Sequence, residues 1–211
     1  MSTLGIMRTR IASEMKRGDI SAGASTVIDA IVSAIKHFEN ERFFFNEFND
    51  TTTSASASVT YLSLSAFGIN LVSVDTMKAV IGTRDYALSK EPWAEIDGKD
   101  SGQYYGYPSN YVFHSNTVRL YPPPADNYLL KIAGVRQLME VSAAAADSAT
   151  NGWMTDAEEM IRLHAKGNLF RDQLRAPQQA DYFYAAAERC KNKVKKRGRK
   201  MQATGRARKR Y

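Results

Sequence analysis

Apolar residues at helical spacing predict two helices in the first part of the chain. In the first helix they recur at i, i+3, i+7 and i+11, namely Leu4, Met7, Ile11 and Met15. This spacing places all four on one face, and Gly18 is expected to end the helix. A second stripe, behind the expected N-cap Ser25, contains Val27, Ile28, Ile31, Val32, Ile35 and Phe38. This helix is predicted to end near residues 40–42, before an aromatic cluster of Phe43, Phe44, Phe45 and Phe48.

The middle of the chain has a pattern typical of β-strands. Residues 51–60 are rich in Thr, Ser and Ala, and between residues 62 and 136 short β-prone runs alternate with Gly, Pro, Asn and Asp. The candidate strands are Leu71–Val74, Met77–Ile81, Tyr111–His114, Val118–Tyr121 and Tyr128–Ala133. Ser115-Asn116 predicts a two-residue hairpin turn. Pro122–Pro124 predicts an extended connection, because proline has no backbone N–H to donate. The pattern indicates an all-β module of the antiparallel type.

Helical spacing returns after a loop of small residues, Ala143–Thr150. Thr155 and Glu158 have the spacing of a capping box. The apolar face that follows, with one small residue for close packing, is Met160, Leu163, Gly167, Phe170 and Leu174. Pro177 suits the first turn of a fourth helix, which is predicted to end near Lys196–Gly198. The apolar stripe of this helix is Ala180, Phe183, Ala187, Cys190 and Val194.

The order of these segments predicts an α+β protein. Terminal helix pairs form a helical bundle, an antiparallel β-module is inserted between them, and a basic tail ends the chain. We place the helical bundle domain at residues 1–48 and 151–197. The inserted β-rich domain covers residues 49–150, and the basic C-terminal tail covers residues 198–211.

Basic residues are concentrated at the C-terminal end. Residues 189–211 contain 12 of the 29 Lys and Arg residues and none of the 22 Asp and Glu residues. Residues 1–188 therefore hold 17 basic and 22 acidic side chains, a net charge of −5, although the whole chain carries +7. A block of like charges repels itself, so it is either solvated or bound to an anionic partner.

Composition excludes several classes of protein. With 211 residues and 44% hydrophobic content, the chain is long enough for one ample core or two small ones. No apolar run approaches the roughly 18 residues of a membrane span, and residues 1–10 lack the apolar stretch of a secretory signal. The single cysteine, Cys190, excludes an internal disulfide and indicates a reducing compartment or indifference to redox conditions.

The chain has no sequence motif of a common catalytic site. It contains no GxxxxGK(S/T) phosphate loop, no GxGxxG and no GxSxG. His37, His114 and His164 do not have the spacing of a metal site, and His37, beside an apolar stripe, is interpreted as structural. We therefore predict no enzyme activity, no catalytic residue, no metal site and no cofactor.

Two pairs of carboxylates and the single cysteine are the remaining candidates for a catalytic role. Glu158-Glu159 fits the acidic first turn of a helix, and Asp97, close to Asp100, belongs to an Asp-Gly turn signal. Cys190 lies among basic residues, whose positive charge would lower the pKa of a thiol. Its position on an apolar stripe favours a small buried residue instead.

Aromatic residues crowd the segment 102–111, which reads GQYYGYPSNY. Tyr104, Tyr105, Tyr107 and Tyr111 are candidate interface aromatics, since exposed tyrosines stack on nucleobases and anchor protein interfaces. The alternative is that half-buried rings fill the thin core of the β-module. Both interpretations stay open.

The basic tail allows three interpretations, which are a solvated terminus, a contact with nucleic-acid phosphates and docking in an acidic protein groove. Its composition is rich in Arg and Lys, with Tyr211 as its one aromatic residue, and this favours electrostatic contact over base readout. The candidate contact residues are Lys191, Lys193, Lys195, Lys196, Arg197, Arg199, Lys200, Arg206, Arg208, Lys209 and Arg210.

Two stretches resemble the sequence signature of tailed-phage head-to-tail adaptors, also called connector, head completion or tail tubular A proteins. Gly106–Tyr111 (GYPSNY) and Val118–Tyr128 (VRLYPPPADNY) are similar to the family's G-x-P-x-x-Y and I-x-L-x-P-x-P-x-x-x-Y. Ile28–Glu47 resembles the family's N-terminal stretch, and Trp153 ahead of the third helix fits as well. The resemblance covers roughly residues 3–190. The chain departs from the family pattern at residues 51–60 and in its long basic tail.

The resemblance implies a structural protein of the virion that is made in the host cytoplasm. Such adaptors assemble as a homo-oligomeric ring, typically a dodecamer, beneath the portal protein of a filled capsid. They extend the channel through which double-stranded DNA passes and present a platform for the downstream tail or nozzle protein. The resemblance implies no membrane partner. In that family C-terminal segments often reach up to the portal. We hypothesise that the basic residues from Lys191 to Arg210 dock on the portal, and a second hypothesis is that they touch packaged DNA.

Two other classes of function compete with this one. A general nucleic-acid-binding protein would act through the basic tail, but the acidic body and the lack of a recognisable reading module count against it. An enzyme would need a pocket of perturbed titratable groups, and no residue pattern indicates one.

Overall fold

The computed structural model describes residues 2–16, 20–21, 23–63, 70–99, 104–114, 117–138 and 147–204. The chain is α+β, as predicted, and divides into two compact units. The helical unit is Met1–Asn46 with Leu138–Tyr211, and the β unit is Glu47–Gln137. The helices are α1 (Leu4–Met15), α2 (Ser25–Phe38), α3 (Trp93–Asp97), α4 (Gly152–Thr155), α5 (Glu158–Asp172) and α6 (Pro177–Thr204). The strands are β1 (Glu47–Asp50), β2 (Ser54–Ala55), β3 (Tyr61–Ser63), β4 (Asn70–Ile81), β5 (Arg84–Lys90), β6 (Asn110–His114), β7 (Thr117–Tyr121) and β8 (Tyr128–Gln137).

Helix α1 confirms the first predicted stripe. All four predicted apolar residues are buried. The Thr3 hydroxyl oxygen caps the helix by accepting a hydrogen bond from the Ile6 N–H at 3.4 Å. At the other end, Lys16 takes a left-handed conformation with φ of 50°. The predicted terminator Gly18 lies outside the described residues.

Helix α2 confirms the second stripe but not its cap. Its apolar residues are buried apart from Val32, which is half-buried. The predicted N-cap Ser25 is wrong, because Ser25 is already helical and Ala24 holds the N-cap position without a side-chain hydrogen bond. A turn in which the Ala24 N–H donates to the Ser21 carbonyl at 3.0 Å starts the helix one residue early. The helix ends at Phe38, before the predicted end near residues 40–42.

The predicted capping box of Thr155 and Glu158 is wrong. Asn151 starts an additional short helix, α4, by accepting hydrogen bonds from the N–H groups of Trp153 (2.9 Å) and Met154 (3.3 Å). Thr155 is therefore already helical, and its hydroxyl donates to the Asn151 carbonyl at 3.2 Å. Ala157 occupies the N-cap position of α5, and its side chain accepts no hydrogen bond from the first turn of the helix.

The core of the helical unit lies where α5 packs against α1, α2 and α6. The Trp153 ring is 1% exposed and stands edge-on to Phe43 and Phe45, with ring centroids 5.5 and 5.0 Å away. Gly167 provides the predicted close approach, since a Cβ there would lie 2.5 Å from Tyr184 Cε1. Helix α6 begins at Pro177, as predicted.

The strands of the β unit form one sheet in the order β1-β8-β4-β5-β6-β7-β3, with β2 also paired to β8. The prediction of an all-antiparallel module is wrong in one pair, because β5 and β6 are parallel. Parallel neighbours need a longer crossover than a hairpin. The segment between these two strands contains α3 and carries the chain back before β6 begins.

Predicted strands are found where the apolar alternation is strong. The candidates at Tyr111–His114, Val118–Tyr121 and Tyr128–Ala133 correspond to β6, β7 and β8. The candidates Leu71–Val74 and Met77–Ile81 form a single strand, β4, with register shifts against β8. The strands β1, β2, β3 and β5 were missed. The proposed turn at residues 115–116 lies outside the described residues, and so does the first half of the predicted loop at residues 143–150.

The proline run follows β7 as an extended connection, as predicted. The Tyr121–Pro122 peptide bond is cis. Gly106 bridges Pro124, and its N–H donates to the Pro123 carbonyl at 2.9 Å. The segment that carries the exposed tyrosines is thereby attached to the sheet.

Replacing Gly134 with alanine is expected to destabilise the β unit strongly. At the register shift between β4 and β8, a Cβ on Gly134 would lie 2.1 Å from the Ser73 carbonyl oxygen and 2.9 Å from Val74 Cα. Backbone cannot move as a side chain can, so we expect a loss of about 3 kcal/mol in the free energy of unfolding. Denaturant titration measures it. Gly98→Ala is the control, since its added Cβ meets nothing closer than 3.5 Å, and equal losses in both variants would contradict the explanation.

Candidate functional site

The basic residues of the C-terminal end lie largely on helix α6. The prediction that this helix ends near Lys196–Gly198 is wrong, because α6 continues to Thr204. Gly198 is buried, and a Cβ there would lie 3.4 Å from Phe44 Cβ. Lys and Arg are good helix formers, so the charge block is compatible with the helix while its inner face stays packed. Arg206, Arg208, Lys209 and Arg210 lie outside the described residues.

One carboxylate receives two of these cations. Lys191 Nζ lies 3.1 Å from Glu41 Oε1, and Lys195 Nζ contacts Glu41 Oε2. The Lys191 ammonium also stands over the Phe38 ring at 5.6 Å, and that of Lys195 over the Phe43 ring at 5.6 Å. We call Glu41, Lys191 and Lys195 the Glu41 clamp. It attaches the C-terminal half of α6 to the loop after α2.

The charges of the clamp alter its titration. Burial opposes ionisation of Glu41, but hydrogen bonds from Lys195 and Lys191 outweigh it, and the pKa of Glu41 is lowered. Burial likewise opposes the charge on Lys191, yet its bonds to Glu188 and Glu41 raise the pKa of Lys191. Glu41 and Lys191 are therefore both charged at neutral pH.

A further ion pair lies along the helix, although the Arg197 side chain is 59% exposed. Arg197 Nη1 is 3.1 Å from Asp156 Oδ1, and its guanidinium stands 5.3 Å from the Phe44 ring centroid. The sequence predicts a block that is either solvated or bound to an anionic partner, and it does not indicate that the protein itself pairs these three cations. Their sequence pattern could not reveal the acceptors, since Glu41 is 150 residues from Lys191.

The remaining described cations of the block face solvent. Arg189, Lys193, Lys196 and Lys200 are exposed and recur at intervals of four, three and four residues. With 3.6 residues per turn, they occupy an arc of about 60°. This arc is opposite the buried residues Ala180, Ala187 and Gly198. We call these four residues the outward stripe; Arg199 is exposed beside it.

The candidate interface tyrosines divide into two groups. Tyr104, Tyr105 and Tyr107 are 65%, 49% and 62% exposed. Tyr111 is 2% exposed and belongs to the core of the β unit, with its ring edge-on to Phe113 at 5.5 Å. The candidate interface role of Tyr111 is therefore wrong, because β6 turns this side chain inward. The core-filling alternative holds for Tyr111 and not for the other three.

Two histidines that are far apart in sequence come together in the helical unit. The rings of His37 and His164 stack with centroids 4.5 Å apart, and Tyr184 lies 4.9 Å from His164. They border a cavity of about 330 Å³ whose other lining residues are Ser33, Asn168, Arg171 and Glu188. Burial, followed by the charge of His37, lowers the pKa of His164 to about 4. His164 is therefore neutral at neutral pH.

The other candidates for chemistry have structural partners. Asp97 accepts a hydrogen bond from Arg119 at 3.2 Å, and Asp100 lies outside the described residues. Glu158 pairs with Arg10, whereas Glu159 is exposed. Burial raises the pKa of the Cys190 thiol, which is 6% exposed, as expected for a small residue on a packed stripe.

Metal binding and membrane spanning find no support in the part of the chain that the structure describes. There, no group of three or more His, Cys, Asp or Glu side chains is placed to hold a metal ion. In the same residues, no helix is both long enough and apolar enough to cross a membrane. His114 stacks on Trp93, with ring centroids 4.1 Å apart.

Comparison with known proteins identifies the class of this chain. The sequence model of the family described as SU10 adaptor protein matches residues 2–210. The chain therefore belongs to the SU10 adaptor protein family, and its resemblance to phage head-to-tail adaptors is confirmed. No curated protein matches the chain.

Removing the charge of Glu41 is expected to loosen the C-terminal half of α6. In Glu41→Gln, Lys191 and Lys195 lose their shared carboxylate, and the free energy of unfolding falls by about 1 kcal/mol, because the pair is partly exposed. Amide hydrogen exchange should speed up between Lys191 and Lys200. The control Asp181→Asn removes an exposed carboxylate from the same helix. Unchanged exchange in Glu41→Gln would contradict the clamp.

Acidification is expected to destabilise the helical unit through His164. The ordinary histidine pKa is 6.5 and the folded value is about 4, so between these values only the unfolded chain takes up the proton. Stability present above pH 6.5 is therefore lost as pH falls towards 4, by on the order of 1–2 kcal/mol after allowance for partial exposure. Urea titrations at several pH values measure this loss. An equally steep loss in His164→Gln would show that another group is responsible.

Proposed function

We propose that this chain is the head-to-tail adaptor of a tailed phage. It forms a ring below the portal, extends the DNA channel and joins capsid to tail. The observation that carries this proposal is the family match over residues 2–210. The role is structural and belongs to the virion, at the junction of capsid and tail. The partners are further copies of the chain in a dodecameric ring, the portal protein and a downstream tail or nozzle protein, while double-stranded DNA passes transiently.

The division of charge supports a DNA conduit. Residues 1–188 carry a net charge of −5, and a net-negative body has little long-range attraction for phosphates. A channel built from such bodies lets DNA pass without trapping it. The excess of positive charge lies instead at the C-terminal end, where 12 of the 29 basic residues are found without an acid. A contact with an anionic partner can be made there, apart from the channel.

The proposed portal contact is the end of α6 together with the residues after it. Residues 205–211 contain Arg206, Arg208, Lys209 and Arg210 and no acid. Each copy contributes a weak electrostatic contact, and a ring of copies multiplies these contacts through avidity. The inward cations Lys191 and Lys195 take part less directly, since Glu41 already pairs them.

The two compact units have separate roles in this proposal. The helical unit, Met1–Asn46 with Leu138–Tyr211, is the bundle domain that packs side by side around the ring, and the β unit, Glu47–Gln137, is the inserted domain. The exposed rings of Tyr104, Tyr105 and Tyr107 are contacts for a protein partner, because tyrosine is enriched in interface cores.

Electron microscopy of the tagged chain captured from its native source tests the adaptor function. We expect rings stacked on a portal or a tail, and their symmetry gives the copy number. An isolated monomer in the purified state is compatible with assembly on the partner. Captured nucleic acid with single copies and no ring on any phage structure would contradict the proposal and favour a nucleic-acid-binding protein.

A short truncation tests the portal contact. Deleting residues 205–211 removes four cations but retains α6 and the Glu41 clamp, so the body is expected to keep its circular dichroism and melting temperature. Capture of portal protein should fall by about tenfold or more, because the loss is repeated in each copy of the ring. Capture at the level of the full chain would refute this contact.

A further inference from the structure

The cavity beside His37 and His164 has a fixed inner wall. Its volume is about 330 Å³, at the small end of the range for ligand pockets. Among its lining residues, Asn168 is 4% exposed, and both ends of its amide are held. The amide nitrogen donates to the Ala30 carbonyl at 3.3 Å, and the amide oxygen accepts from the Tyr184 hydroxyl at 3.0 Å. The cavity is therefore preformed and has the size for one side chain.

The charged groups around this cavity have partners of their own. The Arg171 Nε donates to the Asp172 carboxylate at 2.8 Å. The Glu188 carboxylate lies 2.6 Å from Lys191 Nζ. His164 is neutral at neutral pH, because its burial lowers its pKa to about 4. Since an unpaired charge is costly to bury, the cavity favours an uncharged occupant.

The rings of the cavity favour an aromatic occupant with a polar tip. The imidazoles of His37 and His164 stack 4.5 Å apart, and Tyr184 lies 4.9 Å from His164. The Arg171 guanidinium stands 5.7 Å from the Tyr184 ring centroid. Aromatic rings pack favourably against such groups, and the exposed Ser33 supplies a hydroxyl for hydrogen bonding. A tyrosine side chain combines the ring and the hydroxyl that these groups bind.

A tyrosine of this kind projects from the other side of α6. Tyr182 is 64% exposed, and it is the one aromatic ring among the exposed large hydrophobic side chains in the described part of the helical unit. Tyr182 and Tyr184 are two positions apart, so they point about 160° apart around the helix axis. The helical unit thus has a projecting ring and a cavity on nearly opposite sides of one helix.

We infer that Tyr182 of one copy inserts into the cavity of the next copy, between its helices α2, α5 and α6. We call this the Tyr182 contact. The inference rests on the proposed function, and it names the residues through which the helical units meet around the ring. Contact between two different surfaces is heterologous, and it produces a ring rather than a closed pair when the rotation closes. Each copy gives one tyrosine and receives one.

Cross-linking of the full-length chain tests the Tyr182 contact. Tyr182→Cys and Ser33→Cys are made in a Cys190→Ala background, which removes the native thiol. A short bis-maleimide is added to the concentrated chain in solution and to the chain assembled on purified portal protein. Mixing the two single variants should give linked dimers and nothing larger. Both substitutions in one chain should give a ladder of larger species, whereas each single variant alone should give no link.

A second exposed tyrosine provides the matched control for cross-linking. Tyr105 is 49% exposed and belongs to the β unit, and Tyr105→Cys should not link to Ser33→Cys. A link from Tyr105→Cys in place of Tyr182→Cys would overturn the inference and make a tyrosine of the β unit the occupant. A link within Tyr182→Cys alone would overturn it too, since it indicates symmetric pairing. The absence of any link from Tyr182→Cys in both preparations has the same meaning.

Truncation of the projecting ring tests its contribution to assembly. Tyr182→Ala should weaken ring assembly on the portal by at least about tenfold, because a tyrosine buried in an interface is a frequent hot spot. The melting temperature of the free chain should not change, since the side chain is exposed there. Tyr86→Ala removes a 45% exposed tyrosine of the β unit and should assemble like the unmodified chain. Equal assembly of the two variants would contradict the inference.

The same preparations separate this inference from the proposed function. Rings on the portal without the expected cross-link would overturn the Tyr182 contact and leave the adaptor proposal intact. Cross-linked ladders from the concentrated chain, with no ring on the portal, would support the contact while the adaptor proposal fails.

Discussion

A helix crowded with like charges stays packed on a protein body only where carboxylates and aromatic rings receive its inner cations. Helix α6 meets this condition through Glu41, which binds both Lys191 and Lys195, and through Asp156, which binds Arg197. The rings of Phe38, Phe43 and Phe44 lie beneath the same three cations. Helical order therefore extends to Thr204, well into the basic block. The same arrangement turns the remaining cations of α6 towards solvent.

The two units of the chain contribute different surfaces. The helical unit presents a basic helix end on an otherwise acidic protein. The β unit presents three exposed tyrosines on a segment attached to the proline run through Gly106. The stacked rings of His37 and His164 lie apart from both surfaces, where they border a cavity of the helical unit. The sequence model of the SU10 adaptor protein family spans both units, since it matches residues 2–210.

The accuracy of the sequence predictions follows the strength of the local signal. Helices with long apolar stripes, such as α1 and α6, were located correctly because burial of one face needs a period of 3.6 residues. The missed strands lack such a signal, since β5 has only Leu88 buried and β3 only Leu62. Caps were predicted less well. Asn151 and Ala24 determine where α4 and α2 begin, through turns that the spacing of apolar residues does not encode.

The sequence alone determined the separation of charge, the faces of the main helices and the adaptor-like motifs, because these depend on composition and on short-range spacing. Only the tertiary structure decided that Glu41 pairs with Lys191 and Lys195 and that Asp156 pairs with Arg197. It also decided that Tyr111 belongs to the core while Tyr104, Tyr105 and Tyr107 are exposed, and that β5 and β6 run parallel. The physical reason is that these properties depend on contacts between distant segments, as with Glu41 and Lys191, which lie 150 residues apart in the chain.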